Sequence, residues 1–232
     1  MDLPDNNNQA VKTIDDILVS GLITDVFNAE RYNMMFKILC DHSTKLNKSA
    51  VDIQTFFSSV QGLSQNGCIL ALARVYDKAS DKYPTRSLPY LFKKLRELAP
   101  QLPKVEENKL TLKILKQYNV SQECCDALVD AARFPVEVAN YFENLCKNNN
   151  SLKEFRDKII AHNEAFDEKP ALTWKEFEEL AGLAKQVIEI IGMAYFSGMY
   201  QGTITKGAER NAISTEAVLR RLGITEDLSI SI

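Results

Sequence analysis

Two histidines, His42 and His162, are the only side chains in the 232 residues with an ordinary pKa near neutrality. His162 closes the run Phe155-Arg156-Asp157-Lys158-Ile159-Ile160-Ala161-His162-Asn163-Glu164. An imidazole can take or give a proton near pH 7. A guanidinium offers a planar fork to two phosphate oxygens and never loses its charge. Arg156 and His162 together therefore suit acid–base chemistry on a phosphate ester, with Asp157, Asn163 and Glu164 as orienting neighbours. His42, in Asp-His-Ser-Thr, reads as a solvated connection. The sequence holds no HExxH, no paired Cys/His set and no acidic metal box, so neither a metal nor a cofactor is expected.

The spacing has a geometric consequence. Six positions of a straight helix leave two side chains roughly 120° apart, so Arg156 and His162 do not share a face. They converge if His162 lies at a frayed helix end, or if two protomers pool their pairs. A second reading stays open: a histidine at a helix C-terminus is also favoured by the helix dipole without any catalysis.

The elements that must position these residues read as helices throughout. Apolar residues at three- and four-residue steps (Ile14, Ile17, Leu18, Leu22, Val26) predict a helix from Thr13 to about Cys40, with Thr13 and Asp16 as a capping arrangement. Residues 1–12 read as loose chain. A second long helix is predicted over 51–76, its wide buried face formed by Phe56, Phe57, Val60, Leu63, Ile69, Leu70, Leu72 and Ala73. A short helix follows at 88–98, capped by Ser87, and an amphipathic one at 105–118. A helix from Ser121 should break or kink at Pro135 and resume to Leu145. Lys147-Asn-Asn-Asn150 is a stop. Ser151 with Glu154 is a capping box opening the helix that carries Arg156 and ends near His162. Thr173 with Glu176 is another, opening a helix to about Met199. The remainder reads as an appended piece with a short helix over 214–222. No segment alternates at period two, so the fold class is all-α: a bundle of five or six principal helices with a short C-terminal helix, spanning 13–200, plus an extension over 201–232.

Composition narrows the partners. Net charge is −3, which does not support a whole-surface grip on nucleic acid, so any such contact must be local. The five cysteines make no CxxC pair and read as reduced core thiols. The polar N-terminus is no signal peptide and no apolar run reaches bilayer length, so a cytoplasmic protein without membrane contact is expected. Arg74 and Asp77 read either as an i,i+3 ion pair or as support for the Arg156/His162 site. Trp174 reads as a core or interface anchor, and Lys206, Arg210, Arg220 and Arg221 as a solvated basic face that could touch RNA or a partner.

The string Arg156-x5-His162 resembles the Arg-x(4–6)-His signature of the HEPN superfamily. RDKIIAHNE, with Leu72-Ala73-Arg74-Val75-Tyr76-Asp77 and Ser87-Leu88-Pro89-Tyr90-Leu91, is similar to the abortive-infection U-type branch, over roughly residues 13–200. Two positions depart: Asp157 stands where many HEPN nucleases carry Asn, and Glu164 where some toxin members carry Tyr. The resemblance implies a HEPN-like helical bundle and a homodimer whose paired motifs line one cleft. It also implies a metal-independent endoribonuclease of phage defence or of a toxin–antitoxin pair, with RNA as substrate and an antitoxin or defence protein as partner. Non-catalytic HEPN-like interaction or sensor modules are the alternative it leaves.

Overall fold

The computed structural model describes residues 5–80, 82, 85–148, 150–157, 172–198 and 200–225. All regular structure among them is helical. The chain is helical from Asp5, where the sequence suggests loose chain through residue 12. Helix α1 (Asp5–Ile17) passes through a π-helical turn, Leu18–Leu22, into α2 (Ile23–Asp41). Ala10, Ile14, Ile17 and Leu18 are buried on one side, so the core recruits a turn earlier than the large apolar residues suggest. Thr13 lies inside this helix, its hydroxyl bonded to the Gln9 carbonyl at 2.9 Å, and caps nothing.

A short α3 (Ser43–Leu46) leads to α4 (Val51–Val75). Then come α5 (Leu88–Leu98), α6 (Asn108–Gln117), α7 (Gln122–Ala127) and α8 (Arg133–Leu145). Pro135 does not break a helix. It sits in the first turn of α8, where no backbone N–H is needed, behind an Asp130 carboxylate that accepts from the amides of Ala132 and Arg133. Helix α9 (Asn150–Glu154) begins one residue before Ser151, the position at which the sequence opens it. Helix α10 (Trp174–Phe196) has the predicted capping box: the Thr173 hydroxyl accepts from the Glu176 amide, and the Glu176 carboxylate accepts from the Thr173 amide. The segment read as an appended tail is a helix of 22 residues, α11 (Tyr200–Arg221), packed along α2 with Ile204 and Ala208 buried.

Two apolar clusters hold these helices. The main one surrounds α10, whose Ala184, Val187, Ile188, Ile190 and Ile191 are all buried. The smaller one joins Leu39, Leu46, Phe57, Leu219 and Ile224 at the far ends of α2, α4 and α11. Only the C-terminal half of α4 reaches the main core. Two residues of its predicted buried face, Phe56 and Leu63, are therefore 61% and 71% exposed. Gly67 lets α4 approach α2, since a Cβ there would stand 2.9 Å from the Tyr32 ring. Cys68, Cys124 and Cys146 are buried, and burial pushes their thiols up to about 12, 11 and 12, which leaves them neutral and inert at pH 7.

Candidate functional site

Arg156 and Asp77 meet because each follows a buried anchor. Tyr76 ends α4 fully buried, its hydroxyl donating to the Leu180 carbonyl at 2.7 Å, and burial holds that phenol well above its ordinary pKa. Phe155 packs in a crevice with Gln65, Ile69, Trp174 and Phe177, and Leu152 one turn earlier is fully buried. The residue after each anchor is pushed outward. Arg156 lies in a π-type turn, Phe155–Asp157, that continues α9, and its Nη1 donates to the carboxylate of Asp77. Its Nε donates to Asp157 at 2.6 Å. The bond to Asp157, then the one to Asp77, raises the guanidinium pKa further, so the charge is permanent. The two side chains are 25% and 34% exposed, so the pair is open to water but held in place.

Asp77 also lines a groove of about 240 Å³ with Ser20, Gly21, Asp25, Arg74 and Arg86. Arg74 does not take Asp77 as its hydrogen-bonding carboxylate. Its Nε and Nη2 donate to Asp25 at 2.9 and 2.6 Å, while the charge of Asp77 adds a smaller favourable field. Arg86 forks onto Asp16 at 2.9 and 3.1 Å, and that bond lowers the Asp16 pKa. Gly21 is required beneath it, because a Cβ there would fall 2.1 Å from Cβ of Arg86. The π-helical turn that carries Ser20 and Gly21 is an irregularity often found at functional sites.

Of the residues singled out in the sequence, Arg156, Asp157 and Asp77 are brought into direct contact, with Arg74 beside them. His162, Asn163 and Glu164 lie outside the described residues. His42 is at the α2–α3 junction, two residues past Cys40, which meets Gln61 sixteen positions before Asp77; at 1.5 Å per residue that puts His42 on the order of 25 Å or more from Asp77. Asp16, Asp25 and Arg86 escape sequence reasoning: Arg74 and Asp25 are 49 positions apart and Arg86 and Asp16 are 70 apart. Among the described residues, no set of three or more His, Cys, Asp or Glu could hold a metal ion, and no helix is long and apolar enough to cross a membrane.

An all-α bundle that presents an arginine from a short helix against the end of its long α4 is the class that fold and site define. The chain belongs to the HEPN AbiU2 family, whose model matches residues 14–208, from α1 into α11. It is thus an abortive-infection-related HEPN domain. No curated protein and no solved structure matches it.

Proposed function

We propose that this HEPN domain is a metal-independent endoribonuclease acting as a homodimer, with Arg156 and His162 at a shared cleft. The observation that carries the reading is Arg156 itself: permanently charged, water-accessible, and aimed by Asp77 and Asp157. Among the described residues its second terminal nitrogen, Nη2, is uncommitted. In the reaction, the RNA 2′-oxygen loses its proton to a base and forms a bond to phosphorus. The P–O5′ bond breaks, and the leaving oxygen takes up a proton. Products end in a 2′,3′-cyclic phosphate and a 5′-hydroxyl. His162 supplies the proton transfers and Arg156 grips the charged phosphorane. Asp77 acts through Arg156 as a positioning residue.

Dimerisation is supported by α4. Between Asp52 and Arg74 the helix has no charged residue, and its solvent face carries Phe56 and Leu63. An exposed, uncharged face on a long helix is suited to a two-fold contact with its own copy. Phe56→Glu should convert the dimer to a monomer in sedimentation equilibrium.

The enzymatic test is incubation of the protein with single-stranded RNA in chelator, followed by end-group analysis. Cyclic-phosphate ends from the wild type, and at least about 100-fold slower cleavage by His162→Ala, are expected of a lost general acid or base. Unchanged cleavage by His162→Ala would end its catalytic role. One observation favours the other reading, a non-catalytic interaction module: the Arg156 fork already holds two carboxylates, as a purely structural arginine would. Absence of cleavage on any RNA, with the dimer intact, would select that reading.

A further inference from the structure

Beside the start of α2, on the side away from Asp25, lies a second depression, a groove of about 500 Å³ between α2 and α11. Its floor is apolar: Ile23 and Phe27 from α2, Ile204 and Gly207 from α11. Gly207 makes the floor possible, since a Cβ there would stand 2.7 Å from the edge of the Phe27 ring. Lys206 and Arg210, four residues apart on α11, form its basic wall. Arg31 adds a third cation beside it, its guanidinium carbon 5.6 Å from the centre of the Phe27 ring and 4.7 Å from that of Tyr32. Among the described residues none of these three has a carboxylate partner, while Arg74, Arg86 and Arg156 all do.

We propose that this groove is a docking site for an acidic, amphipathic segment of a partner protein. Apolar side chains of the segment seat on Phe27, Ile23 and Ile204, and its carboxylates meet Lys206, Arg210 and Arg31. The charge pattern selects this occupant. Cations without a carboxylate partner among the described residues, beside an apolar floor, complement a segment that supplies both acid and hydrocarbon, the helix-in-groove mode of recognition. An RNA strand would call for a longer run of phosphate contacts than three cations supply. The site stands on the opposite side of α2 from Arg156, so it is independent of the nuclease reading.

The test uses a fluorescein-labelled synthetic peptide of 14 residues, with leucine at helical i, i+3, i+4, i+7 spacing and glutamate elsewhere. A control peptide carries lysine in place of each glutamate. Fluorescence anisotropy with the intact protein should show saturable binding of the acidic peptide alone, weakening as salt rises. The charge-reversed double variant, Lys206→Glu with Arg210→Glu, should bind it at least tenfold more weakly while melting at the wild-type temperature. A Phe27→Ser variant should also lose affinity. The proposal is overturned if the acidic peptide binds no better than the lysine control, or if the double variant binds as well as wild type. It is equally overturned if a uridine oligonucleotide or phosphatidylglycerol vesicles, added as competitors, prove the tighter ligand of these two residues.

Discussion

The two sides of α2 carry cations in opposite conditions. Asp25 and Phe27 are two residues apart and so point roughly 160° away from each other. On the Asp25 side, Arg74, Arg86 and Arg156 are each bound by a carboxylate: Asp25, Asp16, and Asp77 with Asp157. On the Phe27 side, Lys206 and Arg210 wall an apolar floor and Arg31 lies against Phe27 and Tyr32, none with a carboxylate partner among the described residues. Equal formal charge thus has unequal meaning. Paired guanidiniums are fixed in direction: they tie α1 to the segment before α5, α2 to α4, and the turn after α9 to the end of α4. Unpaired ones are free to meet an anion that arrives from outside. A basic patch counted from sequence does not distinguish the two.

The largest effect expected from disturbing this contrast is at Gly21. Gly21→Ala places a methyl on Cβ of Arg86, close to the backbone, and should cost about 3 kcal/mol in urea unfolding, as overpacking typically does. Near-wild-type stability would mean that the Arg86 side chain does not lie as described. Gly207→Ala, on the other side, meets only the far edge of the Phe27 ring, which can tilt, so about 1 kcal/mol is expected. Asp77→Asn keeps the shape but removes the charge facing Arg156. At a part-exposed pair, about 0.5–1 kcal/mol of stability should go, and cleavage should slow through kcat rather than KM. Asp16→Asn should cost still less. Its pKa is lowered in the folded state, so whatever stability the pair gives is complete above the ordinary value of 3.8 and lost as pH falls through the lower folded value. The variant should accordingly differ most from wild type in thermal melts at pH 6, with the difference shrinking as pH falls below 3.8. The smallest effect belongs to Lys206→Gln with Arg210→Gln: stability within about 0.5 kcal/mol of wild type, since no ion pair is broken. A larger loss would show that these cations have partners after all.

Much of the fold is legible in the sequence because local physics dictates it. Ile14, Ile17, Leu18, Leu22 and Val26 mark the buried side of the first long helix, and Thr173 with Glu176 marks the start of α10. Where local signals and packing disagree, packing decides. The first turns of α11 contain Gly202, Thr203, Thr205 and Gly207, poor helix formers, and are helical because Ile204 and Ala208 bury against the bundle. Phe56 and Leu63 follow helical periodicity yet face water, because periodicity does not say which end of α4 the core reaches. At the site, the sequence singles out Arg156, Asp157, Arg74 and Asp77, with Arg74 and Asp77 either paired to each other or supporting Arg156. Asp77 and Arg156 lie 79 positions apart, and no local rule links them. Only the anchoring of Tyr76 and Phe155 in one core brings them together.

The most direct test of Arg156 as the phosphate-gripping group is the cleavage rate of single-stranded RNA in chelator by Arg156→Lys. Lysine keeps the charge and can still face Asp77, but it lacks the planar fork that holds two phosphate oxygens. The account predicts a loss of at least about 100-fold with the melting temperature preserved, as for other removed transition-state contacts. A rate within twofold of wild type would contradict it, and would leave Arg156 as a structural partner of Asp77 alone.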